Sequence, residues 1–161
     1  MWTLYNTYVS KYQKIIDLIG LMIAVIWAVV LFWPQNPANS LLKTVKINNK
    51  ELHVYLAKSQ EEWQQGLSGV SGLAQDGGML FIFNEPGFYY MWMKDMKFPI
   101  DIIWISDNFK IVDYKENARP EGYPKEKFGP KELARYALEV NAGWILKNNI
   151  EIGQKIVYNE N

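Results

Sequence analysis

The sequence MWMKDMKFPIDIIW, Met91–Trp104, is the stretch that decides the predicted fold. Two apolar arms rich in aromatic and β-branched residues flank a short polar turn. Arms of this composition are typical of strands that pack on a half-buried surface. The turn carries Lys94, Asp95, Lys97, Pro99 and Asp101. We therefore predict a β-hairpin with a charged end, and we expect the functional site there.

The register of the predicted hairpin follows from its charges. A short connection would set Asp95 opposite Asp101, where like charges destabilise the pair. A connection one residue longer sets Lys94 opposite Asp101, and we predict this register. Side chains alternate along a strand. Tyr90 and Trp92 would therefore share the face of Lys94, while the intervening methionines would face the apolar core.

A late predicted strand, Leu133–Asn141, would supply the rest of the site. Arg135, Glu139 and Asn141 share one face of this strand, since its side chains alternate. If the strand lies near the hairpin, its polar side chains meet those of the charged turn. The predicted ligand-binding residues are Tyr90, Trp92, Lys94, Asp95, Asp101, Arg135, Glu139 and Asn141.

Two interpretations of this constellation remain open. The charges could form a partly buried ion-pair network that fixes the sheet. They could instead line a polar pocket, with Tyr90 or Trp92 as a stacking wall. In an enzyme, Asp101 or Glu139 would be the general acid or base, and Lys94 would stabilise developing charge.

Composition excludes several classes of function. The chain has 17 basic and 17 acidic residues, so its formal net charge is +0 and no basic surface for nucleic acid is expected. Cysteine is absent, which excludes disulfides and thiolate chemistry. His53 is the one histidine, and we predict no metal site and no cofactor. The sequence leans against an enzyme, because it contains neither a G-x-S-x-G motif nor a phosphate-binding loop.

An apolar segment, Ile15–Trp33, predicts a transmembrane helix. At about 1.5 Å per residue its length is about 28 Å, close to the hydrocarbon thickness of a bilayer. Lys11 and Lys14 precede it, and the next basic residue is Lys43. The positive-inside rule then places residues 1–14 in the cytoplasm and the C-terminal domain outside. The alternative is a cleaved signal peptide, but the run is long and no A-x-A pattern follows it.

The remainder of the chain predicts a mainly β domain. Residues 34–40 form a linker, and residues 41–161 form a compact β-sandwich or partly closed barrel with two short helices. Ser59 and Glu62 have the spacing of a capping box and predict the first helix. Gly66–Gly78 is expected to be a loop, as is Ala118–Pro130. The predicted strands are Lys43–Asn48, Glu51–Lys58, Met79–Phe83, Phe88–Lys94, Ile100–Ser106, Phe109–Lys115, Leu133–Asn141 and Lys155–Tyr158. The second helix follows Ala142-Gly143.

Five motifs in this order resemble one prokaryotic family, called domain of unknown function 192. They are E-x-x-x-G-L from Glu62, G-M-L-F-x-F from Gly78, W-M-K-D from Trp92, P-I-D-I-I-W-I from Pro99 and L-E-V-N-A-G from Leu138. The resemblance implies a compact β-rich domain, often behind one export or anchor segment, and no established activity. The family commonly has Met where this chain has Ser68, and Asn where it has Asp95.

The function predicted from these observations is binding. We expect a membrane-anchored, extracytoplasmic domain that binds a small molecule, a glycan or a protein partner through a polar and aromatic pocket. The membrane is the predicted partner of the N-terminal helix. One alternative is a hydrolase of an envelope polymer that uses paired carboxylates. Another is a structural accessory subunit without a ligand.

Overall fold

The computed structural model describes residue 13, residues 16–23 and residues 43–158. The chain divides into two units, Met1–Gln35 and Asn36–Asn161. In the first unit, residues 16–23 are helical. Within the described ranges, no helix combines the length and apolar character needed to cross a bilayer. Most of the predicted anchor 15–33, almost all of residues 1–14 and the whole linker 34–40 lie outside these ranges, so those assignments stay predictions.

The described part of the second unit contains one seven-stranded sheet and two short α-helices. The strands are β1 (Lys43–Ile47), β2 (Lys50–Ala57), β3 (Gly77–Gly87), β4 (Ile100–Ile105), β5 (Ile111–Ala118), β6 (Ala134–Asn141) and β7 (Ile156–Tyr158). The helices are α1 (Gln60–Gln65) and α2 (Trp144–Lys147), and Pro120–Gly122 is a 3-10 turn. The strand order is β5-β4-β6-β3-β2-β1-β7. β2 and β3 are parallel, joined through α1, and all other neighbours are antiparallel.

The two outer strands of the sheet meet, so the sheet curls into a partly closed barrel. The backbone amide of Ile156 donates to the carbonyl of Phe109 at 2.9 Å. The amide of Ile111 donates to the carbonyl of Gln154 at 2.9 Å, and its carbonyl accepts from Gly153 at 2.8 Å. These bonds satisfy edge groups that an open sheet would expose. A mainly β fold is thus confirmed, as a half-barrel formed by one sheet rather than two packed sheets.

Local sequence signals fix the beginning of the domain as predicted. Asn48 and Asn49 have φ of 48° and 61° and form the turn between β1 and β2, consistent with the preference of Asn for such hairpin turns. The Ser59 hydroxyl accepts from the amide of Glu62 at 3.2 Å, and the Glu62 carboxylate accepts from the amide of Ser59 at 2.8 Å. This capping box begins α1.

The predicted hairpin Met91–Trp104 is wrong in its first arm. Residues 88–99, here called the cover loop, contain no strand, and the arm pairs only through a single bridge between Met91 and Phe128. β4 is flanked by β5 and β6, so both its edges are already occupied. Asp95 has φ of 54°, which is incompatible with an extended arm. Met91 and Met93 are buried nonetheless, because they anchor the cover loop to the sheet.

The sheet separates two hydrophobic cores. The first core contains residues from all seven strands, together with Trp144 and Ile145 of α2, and it fills the barrel. The second core lies on the opposite face, beneath the cover loop and the turn that follows α1. Neighbouring residues of one strand, such as Ile102 and Ile103, belong to different cores, as the alternation of side chains requires.

Candidate functional site

A cavity of about 230 Å³ lies on the second-core face of the sheet. One wall is α1 with the turn after it, and the other is the cover loop. Strands β3 and β6 contribute Phe81 and Glu139. The polar and aromatic residues of the lining include Gln60, Gln64, Gln65, Tyr90, Trp92 and Glu139. Tyr90 and Trp92 are 61% and 39% exposed, so the wall that they form reaches the surface.

The cover loop is held in place by contacts near its beginning, at Tyr89 and Met91. Met91 exchanges two backbone hydrogen bonds with Phe128, at 2.7 and 2.9 Å. The Trp104 indole donates to the carbonyl of Tyr89 at 3.0 Å, and the Tyr89 ring stacks on Phe83 with a centroid separation of 3.6 Å. These contacts fix Tyr90 and Trp92 beside the cavity, although both side chains are partly exposed to solvent.

The two walls of the cavity are joined at the positions where this chain departs from the family pattern. The Ser68 hydroxyl donates to the carbonyl of Lys94 at 2.7 Å. The amide of Gly69 donates to the carbonyl of Asp95 at 2.9 Å. Asp95 has a left-handed backbone, which Asn and Asp adopt more readily than most residues. Asp95 makes its contact to Gly69 through its backbone carbonyl, so a turn conformation explains why Asn or Asp suits this position.

Glu139 is the buried polar residue of the cavity. It lies between Met79 of β3 and Ile102 of β4 and is 4% exposed. Its Oε2 atom is buried and has no hydrogen-bond partner among the described residues. Burial away from water disfavours the charged carboxylate and raises the pKa of Glu139 to about 8. The carboxyl is therefore mostly protonated and neutral at pH 7.

Asp101 lies on the opposite face of the sheet from Glu139. It pairs with Val140, whose side chain belongs to the first core, and it is fully buried. Its two carboxylate oxygens accept from the amides of Asn117 and Ile145, each at 2.9 Å. These bonds connect the irregular end of β5 and the beginning of α2 to β4. Asp101 therefore has a structural role, and the predicted convergence of Asp101 with Glu139 is wrong.

The predicted pair of Lys94 and Asp101 is also wrong. Lys94 is exposed, and no ion pair joins the two residues in the described part of the chain. Arg135 lies 3.5 Å from Asp107, in an ion pair at the turn after β4. The Asn141 amide donates to the carbonyl of Ala74 at 2.7 Å and so holds the loop before β3.

Three of the predicted site residues thus line the cavity: Tyr90, Trp92 and Glu139. Lys94, Asp95, Asp101, Arg135 and Asn141 do not. Sequence reasoning missed the polar residues Gln60, Gln64, Gln65 and Ser68 of the other wall. The capping box located α1, and Trp63 of this helix packs against the second core, but no sequence signal indicated that the glutamines beside it line a cavity. In the described ranges, no three acidic or histidine side chains are grouped so that they could hold a metal ion.

Comparison with known proteins gives the family. Residues 43–158 match the model of domain of unknown function 192, which is described as an uncharacterised ACR. No curated protein is a significant match. A protein of Sinorhizobium meliloti 1021, provisionally described as a transcription regulator, is 30% identical; the alignment covers 72% of this chain and 92% of that one, with a TM-score of 0.67.

A protein of unknown function from Novosphingobium aromaticivorans DSM 12444 shares the fold. It is 24% identical, covers 76% of this chain and 89% of its own, and superposes with a TM-score of 0.70. All five motifs identified in the sequence lie within the matched residues. Four of them contain residues of the cavity lining, such as Phe81, Trp92 and Glu139. The match over residues 43–158 confirms the resemblance: this chain belongs to the domain of unknown function 192 family.

Proposed function

We propose that the domain formed by residues 43–158 binds a small molecule in the cavity above Glu139. The observation that carries the proposal is the buried carboxyl of Glu139, whose Oε2 has no partner within the described residues. A buried polar atom without a hydrogen bond is destabilising, and native proteins contain few of them. A ligand with a complementary polar group would satisfy this atom.

The lining of the cavity supports the proposal. Aromatic rings from Phe81, Tyr90 and Trp92 lie beside the side-chain amides of α1, and this mixture is typical of small-molecule sites. The volume of about 230 Å³ corresponds to about seven or eight water molecules. This size suits a compact metabolite better than a glycan chain or a protein surface.

The two alternative functions receive less support. A hydrolase with paired carboxylates needs both carboxyl groups in one site, flanking the scissile bond, whereas Asp101 and Glu139 face opposite sides of the sheet. A structural subunit without a ligand would gain nothing from a buried, unpartnered carboxyl, which an apolar residue of similar size could replace. Binding gives Glu139 a role.

We also propose that the apolar segment 15–33 anchors this domain on the outer side of the cell membrane. The support is the sequence: a run long enough to span a bilayer, preceded by Lys11 and Lys14. A reporter enzyme fused after Asn161 tests the orientation and should be active only outside the cytoplasm. Release of a soluble form about 4 kDa lighter, the loss expected from cleavage after the apolar run, would contradict the anchor.

Binding can be tested with the full-length chain and a library of small metabolites, by ligand-observed NMR. The variant Trp92→Ala removes a wall of the cavity. The variant Tyr123→Ala is its control, because Tyr123 is similarly exposed, 41% against 39%, and does not line the cavity. A specific ligand should lose its signal with Trp92→Ala and retain it with Tyr123→Ala. If no compound distinguishes the two variants, the cavity is not a binding site.

A further inference from the structure

The charge of the cavity lining indicates a class of ligand. Glu139 is its one acidic residue, and no Lys, Arg or His lines the cavity. An anionic ligand would therefore meet no positive side chain in the lining. A cationic ligand would meet a carboxyl group whose Oε2 has no partner in the described part of the chain.

The aromatic wall formed by Tyr90 and Trp92 also favours a cationic ligand. The face of an aromatic ring attracts cations, most strongly for Trp. The Nζ atom of Lys127 already lies 5.9 Å from the centroid of the Trp92 ring. Tyr90 lines the cavity from the same loop. A carboxyl group and aromatic rings in the lining of one cavity are groups that attract an alkylammonium ion.

We propose that the cavity takes a small organic monocation, such as a primary ammonium, whose charge pairs with Glu139 and whose carbon frame lies against Trp92 and Tyr90. This inference rests on the proposed binding function and specifies its ligand class. The ammonium donates N–H hydrogen bonds to the carboxylate and to the side-chain oxygens of the α1 glutamines. Charge-assisted hydrogen bonds of this kind are stronger than those between neutral groups.

Binding is coupled to the loss of one proton. In the free protein the Glu139 carboxyl is neutral, because burial raises its pKa to about 8. When the cation enters, the O–H bond breaks, the proton passes to solvent and the carboxylate remains paired with the ligand. The ligand keeps its own protons, since alkylammonium groups resemble Lys, whose pKa is about 10.4. The filled cavity is then neutral overall.

We assign the released proton to Glu139, because the other carboxyl and basic groups near the cavity lie outside its lining. Tyr90 is the other titratable group of the lining, and Lys127, which contacts the Trp92 ring, lies outside it. On α1, the Glu62 carboxylate is engaged by the amides of Lys58 and Ser59, and Glu61 is exposed. The cover loop carries Lys94, Asp95 and Lys97, all exposed and outside the lining. Of the adjacent strands, β4 carries Asp101, which faces the first core, and β3 carries Glu85, which is exposed.

The coupling predicts how affinity changes with pH. With a pKa of about 8, roughly a tenth of the carboxyl is ionised at pH 7 and roughly nine tenths at pH 9. The apparent dissociation constant scales inversely with the competent fraction. Cation binding should therefore strengthen about tenfold between pH 7 and pH 9, with release of about 0.9 proton per ligand at pH 7.

Three four-carbon probes of different charge test the inference: n-butylammonium, n-butanol and n-butyrate. Each is titrated into the ¹⁵N-labelled full-length chain at pH 7 and pH 9, and the indole N–H signal of Trp92 is followed. The expected result is saturable binding of n-butylammonium alone, about tenfold tighter at pH 9. Calorimetry in two buffers of different ionisation enthalpy measures the released proton.

Two variants make the result specific. Glu139→Gln should abolish the pH dependence and the preference for n-butylammonium over n-butanol. Glu61→Gln removes an exposed carboxylate from α1 and should leave both unchanged. Equal or tighter binding of n-butanol or n-butyrate would overturn the inference, as would binding without proton release. No binding by n-butylammonium would overturn it too, while the metabolite library separately decides whether the cavity binds anything.

Discussion

Replacing Glu139 with glutamine should remove a large pH dependence of folding. The carboxyl is neutral in the folded protein until its pKa of about 8, whereas a Glu in the unfolded chain ionises near 4.5. Between these values the folded state holds one proton more than the unfolded state. The contribution of Glu139 to stability is therefore highest below about pH 4.5 and falls as the pH rises, because the unfolded state is favoured by releasing that proton.

The size of the effect follows from the two pKa values. Each pH unit between them changes the free energy of unfolding by about 1.4 kcal/mol. From pH 5 to pH 8 the wild-type protein should thus lose about 4 kcal/mol relative to Glu139→Gln. Little further change is expected above pH 8, where the carboxyl ionises in both states. The side chain is almost fully buried, so solvent screening does not reduce this value much.

Urea unfolding of both proteins at pH 5, 7 and 9, followed by tryptophan fluorescence, measures the difference. All other titrating groups are shared by the two proteins and cancel in the comparison. The variant Glu61→Gln supplies the control, because an exposed carboxyl should produce no comparable change. Parallel stability curves for wild type and Glu139→Gln would refute the reasoning and show that Glu139 is solvated or paired.

Other perturbations give further predictions. Asp101→Asn should lower the free energy of unfolding by about 1–3 kcal/mol in urea unfolding, because one buried amide loses its acceptor. When it is combined with Lys94→Met, the two losses of unfolding free energy should add within about 0.3 kcal/mol. A larger coupling energy would support the predicted ion pair of Lys94 and Asp101. Gly78→Ala should destabilise by about 1–3 kcal/mol, because the new Cβ would lie 2.7 Å from the carbonyl oxygen of Glu139; an unchanged melting temperature would contradict this. Residues 41–161 should show one cooperative thermal transition without oxidant, since the segment contains no cysteine; a featureless melt would show that the domain needs the rest of the chain.

Much of the chain could be predicted because its signals are local. The turn at Asn48-Asn49 and the capping box of Ser59 and Glu62 each depend on residues within three or four positions of one another. The apolar runs of β3 and β4 are short and bounded by turn residues, so their burial was visible before any partner was known. Membership of the family followed from motifs in order.

The cover loop shows where local signals mislead. Its aromatic and apolar residues have the composition of a strand, and the residues after it do form β4. Whether the first arm becomes a strand depends on a free edge of β4, and β5 and β6 occupy both. Met91 and Met93 are buried as predicted for apolar residues, but beneath a loop.

The sequence by itself determined most of the elements, the turn between β1 and β2 and which residues share a face within one strand. Only the tertiary structure decided which strands are neighbours, and hence that Glu139 lies opposite Ile102 while Asp101 lies opposite Val140. A shift of one residue between strands exchanges the two faces of a sheet. The alternation within each strand carries no information on that shift. The shift is set by packing between segments that are distant in the chain. For this reason sequence could nominate Glu139, Tyr90 and Trp92, whereas their assembly around one cavity required the fold.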